Sequence, residues 1–200
     1  MRILFSILLF LTVTCLHGKL SLQQTEQKIL DFSERARRDS TGQHSIALHD
    51  SIQALLIEVL QIPESFVWPF SSLSKIGILY SPDNRFRIFN WNFFEPKGIC
   101  HYRLIIQQTA QNGYCRVHDF HKTSMLRVNS SEFFKYDTRE WYGALYYSIL
   151  QQKQNGHAYY MLLGYIPNND LSNQKVIETL YFDEDENPIL GMPVISILGK

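Results

Sequence analysis

The chain has 200 residues and a net charge near zero, with Lys plus Arg and Asp plus Glu at 19 each. That balance excludes the basic excess a nucleic-acid surface needs. The length suits one domain with a small helical annex. Aromatic residues reach 14%, chiefly 13 Phe and 11 Tyr, and such residues favour strands.

Residues 1–18 read as a signal peptide. Arg2 is a positive n-region and Ile3 to Val13 an apolar stretch too short for a membrane span. Leu16 and Gly18 suit the −3 and −1 positions of a cleavage site. Cys15 raises lipid anchoring as an alternative, but Thr12, three residues before it, makes a poor lipobox. The expected product is exported, periplasmic or secreted, with no transmembrane segment.

Residues 19–63 are expected to be helical. Leu22 to Arg38 has a thin apolar stripe of Leu22, Ile29 and Phe32. Asp39-Ser40-Thr41-Gly42 breaks it, and Ser45 to Leu60 is a stronger helix. There Leu48, Ile52, Leu55, Leu56 and Val59 fall at i, i+4, i+7, i+8 and i+11. Ile62-Pro63 ends it, because the residue before proline avoids the α region. Arg35, Arg37 and Arg38 read as a solvated face.

Residues 64–200 are expected to form an antiparallel β domain. The aromatic connector Glu64 to Leu73 precedes it in character, with Phe66, Trp68 and Phe70 expected to plug the helix pair onto a sheet. Strands follow at Lys75–Tyr80, Arg85–Trp91, His101–Gln107 and Tyr114–Phe120, with a turn at Ser81-Pro82-Asp83-Asn84. In the third, Tyr102, Leu104 and Ile106 face inward and His101, Arg103 and Gln107 outward. Residues 121–140 are polar and irregular. Asn155-Gly156 is a strong hairpin signal, since both central residues of a type I′ turn need φ > 0. Counting outward from Gln154 opposite His157 pairs Ile149 with Leu162, Leu150 with Met161, Ser148 with Leu163, Tyr147 with Gly164, Tyr146 with Tyr165 and Leu145 with Ile166. Both faces of that pair are apolar, so the hairpin is expected to be central and covered on both sides. Lys175–Phe182 is a strand, Asp183–Pro188 a turn, and Ile189–Leu198 a last apolar run. Turn signals every ten residues or so give an α+β fold: a helix pair, then an antiparallel meander, sandwich- or barrel-like.

In an oxidising compartment Cys100 and Cys115 would ordinarily be bonded. A tight turn at Asn112-Gly113 opposes this, because it sets Cys115 opposite Ala110 and leaves Cys100 about 33 Å away at strand rise. A disulfide needs Cα atoms within about 7 Å. The hairpin is the favoured reading.

The residues Glu64-Ser65-Phe66, Trp68-Pro69-Phe70, Ser81-Pro82-Asp83 and Phe86-Arg87-Ile88-Phe89 are joined by Trp141-Tyr142-Gly143-Ala144-Leu145-Tyr146-Tyr147. With Leu162-Leu163-Gly164-Tyr165, Asn169-Asp170-Leu171-Ser172, Val176-Ile177-Glu178 and Phe182-Asp183, the pattern resembles a family of uncharacterised exported proteins of Gram-negative bacteria. The resemblance covers roughly residues 50–195. It implies export and a β-rich body, and it carries no activity and no catalytic residue. Members of that kind run on past the equivalent of Lys200, so this chain is expected to be a C-terminally shortened one. Its run 194–198 would then be an unpaired edge prone to self-association.

No residue pattern assigns a catalytic, cofactor or metal site. His118, Asp119 and His121 are the densest metal-type group, but 118 and 121 point to opposite faces of a strand. Asp183, Asp185 and Asn187 mimic the start of a calcium loop, yet Pro188 and Val194 stand where Gly and Glu are required. Asn168-Asn169-Asp170 reads as loop composition, and Asn129-Ser130-Ser131 as a sequon that matters only in a eukaryotic host. The expected function is a non-enzymatic exported module that binds an envelope protein or glycan through exposed aromatic side chains. The alternative is a hydrolase with a site near His101, His118 or His121, which requires one of them to reach both a carboxylate and a hydroxyl.

Overall fold

The computed structural model describes residues 22–39, 41–95, 98–109, 113–125, 141, 143–154, 157–169 and 172–191. The expected signal segment, Cys15, the 129–131 sequon, Asp170 and the 194–198 run lie outside these residues. The chain forms two compact units, Met1–Ser74 with Ala110–Cys115, and Lys75–Thr109 with Arg116–Lys200.

In the first unit α1 spans 22–38 and α2 spans Ser45–Leu60, followed by a 3-10 turn at Pro63–Val67. Of the expected stripes, Leu22 and Ile29 on α1 and Leu48, Ile52, Leu56 and Val59 on α2 are buried, Phe32 and Leu55 are half-buried, and Leu60 joins the buried set. Ile62 is extended ahead of Pro63 and stops α2 where expected. Between the helices Asp39 accepts hydrogen bonds from Thr41 Oγ1 at 2.6 Å and from the backbone N–H of His44 at 2.7 Å. The Thr41 bond, then the His44 bond, hold its carboxyl below the usual range.

The aromatic connector is fixed in this unit by a carboxylate that its composition does not announce. Glu26 of α1 is buried and accepts from Trp68 Nε1 and from the N–H of Ser72, each at 2.7 Å. Phe66 and Phe70 are buried beside it in sequence.

The second unit carries two four-stranded sheets. One has the order β1 (Gly77–Tyr80), β2 (Phe86–Glu95), β3 (Ile99–Thr109), β4 (Cys115–Met125). The other has β5 (Leu145–Gln154), β6 (His157–Asn169), β7 (Ser172–Phe182), β8 (Pro188–Leu190). Within each sheet every strand neighbours the next in sequence, which is the expected antiparallel meander, and the two sheets face each other across a shared core. Phe86, Ile88, Tyr102, Leu104, Ile106 and Phe120 come from the first sheet. Tyr146, Ile149, Tyr160, Leu162, Ile166, Val176, Leu180 and Leu190 come from the second. Rings meet edge to face, with Phe86 and Tyr160 at 4.7 Å between centroids, the arrangement their quadrupoles favour.

Polar bonds join the sheets at several points, two of them close to the core. Asn90 Oδ1 of β2 accepts from the N–H of Tyr146 at 2.8 Å. Asp83, in the β1–β2 turn, accepts from Tyr160 Oη at 2.7 Å and Gln151 Nε2 at 2.8 Å. Burial, helped by that bond to Asp83, pushes the Tyr160 hydroxyl up to about 12.

The hairpin register departs from the counted one. Gln154 pairs with His157, Leu150 with Met161, Ile149 with Leu162 and Ser148 with Leu163 as expected. Beyond them a β-bulge at Tyr147 sets Tyr146 opposite Gly164 and Leu145 opposite Tyr165. One extra residue on one strand shifts every later pair by one. The hairpin is also not central: among the described residues β5 ends its sheet, and only one face of the pair is buried.

The first sheet departs in the other direction. His101, Arg103 and Gln107 do point away from Tyr102, Leu104 and Ile106, but all three are buried, as are Arg87, Phe89, Trp91 and Phe93 of β2. Arg87 is fully buried. Its Nε donates to Gln107 Oε1 at 2.6 Å, one terminal nitrogen donates to Tyr80 Oη at 2.8 Å, and its guanidinium lies over the Phe89 ring at 4.7 Å. Cys100 and Cys115 are free thiols, both buried, and burial raises the pKa of Cys100. Of the turn at Asn112-Gly113 only Gly113 is described, with φ +78.

Candidate functional site

Two places in the second unit carry groups that could act on another molecule. The first is the outer face of the β5–β8 sheet. Even-numbered residues of β6 and β7 face the core, so odd-numbered ones face away: Tyr159, Met161, Leu163, Tyr165, Lys175, Ile177 and Tyr181, with Thr179 on the same side but buried. From β5 the bulge residue Tyr147, then Leu150 and Gln152, join them. Ile177 is 56% exposed, Tyr147 50% and Leu150 42%, values that a strand pair covered on both faces does not show. The registers place Leu163 beside Ile177 and Met161 beside Leu150. An apolar centre is thus flanked by tyrosines. Lys175 Nζ sits 5.2 Å from the Tyr147 ring centre and 5.9 Å from that of Tyr165. It is the one formal charge on the outward positions of β5, β6 and β7 among the described residues.

The second place is at one end of the other sheet. His101 is 6% exposed. Its Nε2 is bonded to Glu95 Oε1, and its Nδ1 lies 2.9 Å from Thr123 Oγ1. Phe93, its cross-strand partner, stacks on the ring at 4.7 Å and 8°. One of the three singled-out histidines therefore reaches both a carboxylate and a hydroxyl. Neither Glu95 nor Thr123 stands out in the sequence, because they lie 28 residues apart and on different strands.

The other two histidines are not bonded into that trio. His121 is exposed. His118 lies on the same side of β4 as core residue Phe120, so 118 and 121 do fall on opposite faces. The described residues hold no cluster of three metal-type ligands. The acidic turn is closed on itself: Asp183 Oδ1 accepts from the N–H groups of Asp185 at 3.0 Å and Asn187 at 2.8 Å.

His118 Nε2 is buried without a hydrogen-bond partner. Burial first, then the nearby Arg116 charge, lower its pKa against the opposing pull of Asp119 and Asp183. The unfolded chain then binds a proton more readily than the folded one, so stability is lost as pH falls below about 6.5, the ordinary histidine value. His118→Gln should flatten that part of the stability–pH curve. Urea midpoints at pH 7.5 and 5.5 measure it; an unchanged difference between the two would assign the acid sensitivity elsewhere.

No family model, curated protein or solved structure matches the chain. No helix among the described residues is long and apolar enough to cross a membrane.

Proposed function

We propose that this chain is an exported binding module whose interface is the outer face of the β5–β8 sheet, and that its partner is a protein of the cell envelope. The apolar centre of exposed Leu150 and Ile177 and half-buried Met161 and Leu163 carries this reading. Large apolar patches rimmed by polar groups mark interaction surfaces, and an apolar core with an amphipathic rim is how protein interfaces are built. The four tyrosines supply wide contact area with few torsions to freeze, together with hydroxyls for the rim. A glycan site needs converging polar groups around a stacking ring, whereas the centre here is aliphatic. The single positive charge at Lys175 suits a partner that brings apolar side chains with a carboxylate at their edge. Export rests on the N-terminal sequence pattern and on the family resemblance.

The test is capture from envelope extract by the immobilised mature chain, comparing wild type with Leu163→Asp and Ile177→Asp. Both variants should lose the captured species by at least about tenfold, since a buried unpaired carboxylate costs several kcal/mol. His121→Gln on the other sheet should retain it. Equal capture by all four proteins would overturn the reading. Capture that is lost only when the chain competes with itself would identify the occupant as a second copy.

A further inference from the structure

We infer that Thr123, His101 and Glu95 form a nucleophilic relay able to cleave carboxylic esters, separate from the interaction face. The argument begins with proton placement. An ionised carboxylate only accepts hydrogen bonds, so the ring nitrogen facing Glu95 carries the proton. The other nitrogen, Nδ1, is then a free acceptor, and the Thr123 hydroxyl at 2.9 Å is the donor. A hydroxyl on a basic nitrogen, with that base oriented from its far side by a third group, is the arrangement that activates Ser and Thr nucleophiles.

Burial divides the roles. His101 is withdrawn and held flat against Phe93, which fixes its orientation. Thr123 is exposed, so the reactive oxygen is the member of the trio a substrate can reach. Among the described residues β4 ends its sheet.

The step balances with water alone. Thr123 Oγ attacks the acyl carbon while its proton passes to His101 Nδ1. The ester C–O bond breaks, and the leaving alkoxide takes that proton. Water then attacks the acyl-threonine, giving its proton to His101 Nδ1 and releasing the acid as the hydroxyl is reprotonated. Glu95 touches no reacting atom and is a positioning residue.

The test uses the full mature chain with a fluorophosphonate probe, peptide mapping of the adduct, and p-nitrophenyl acetate turnover. The expected result is an adduct on Thr123 that Thr123→Val abolishes and Thr123→Ser keeps. His101→Gln should lower turnover by about 100-fold or more, the usual contribution of a general base. Glu95→Gln should lower kcat with KM unchanged, and Glu95→Asp should recover part of the loss. Thr123 is on the surface, so Thr123→Val is expected to fold, and circular dichroism checks this. Labelling or turnover no greater in wild type than in Thr123→Val would overturn the inference, and so would an adduct on another residue. Neither result bears on partner capture.

Discussion

Tyr146→Phe should destabilise the chain by about 2–4 kcal/mol, although it removes one oxygen and leaves every carbon in place. That oxygen sits between two buried groups. It accepts from Trp141 Nε1 at 2.9 Å and donates to Glu178 Oε2. Trp141 is 1% exposed and Glu178 4%, so water cannot replace the hydroxyl for either. The cost is that of two polar groups each losing a partner in a low-dielectric core, more for a carboxylate than for an indole. The urea midpoint should fall with the slope unchanged. Pairing Tyr146→Phe with Glu178→Leu should restore part of the loss, because the carboxyl that suffered most is then gone. A loss below about 0.5 kcal/mol for the single variant would mean that Glu178 does not depend on Tyr146.

How much of this was legible in the sequence varies with the interaction concerned. Both helices were, because a 3.6-residue stripe and a proline stop are local: α2 runs over Ser45–Leu60 as the spacing of Leu48, Ile52 and Val59 requires. The meander was legible for the same reason, from turn residues between short alternating runs. Whether an alternating face meets water was not. The His101, Arg103 and Gln107 side reads as a solvated face, yet it is buried, with Arg87 satisfied by Gln107, Tyr80 and Phe89. The hairpin failed in the opposite sense, since Leu163 and Ile177 look like core residues and Ile177 is exposed. Alternation reports which residues share a face and says nothing of what lies against it.

The polar groups that matter most were the least legible. Glu178 stands in an unremarkable Val176-Ile177-Glu178 run, and its bond to Tyr146, 32 positions away, is not announced by it. Glu26 is likewise tied to Trp68 across 42 positions. His101 was singled out, but as a residue type rather than by its partners Glu95 and Thr123. Each pairing is made by tertiary contact between strands or helices, and no local spacing encodes it.

Gly164→Ala should cost about 1–3 kcal/mol, the usual range for forcing an extra carbon into a packed site. An added Cβ would lie 2.7 Å from the Leu145 carbonyl oxygen and 2.9 Å from Cδ1 of Tyr146. The first of these is backbone of the paired strand, which yields only if the strands part. The second is the ring whose hydroxyl serves Glu178. Glycine is needed here for close approach: the Tyr147 bulge brings Tyr146 opposite Gly164, and the ring crosses the space a side chain would fill. The variant should therefore disturb the Tyr146–Glu178 bond as well, and Gly164→Ala with Tyr146→Phe should cost less than the sum of the two single changes. Gly113→Ala separates this effect from ordinary backbone strain. Nothing lies within 4 Å of a Cβ there, but φ is +78. It should lose about 1–2 kcal/mol from the left-handed backbone alone and add independently to Tyr146→Phe. Strict additivity of Gly164→Ala with Tyr146→Phe would show that the glycine serves the strand pairing and not the placement of the ring.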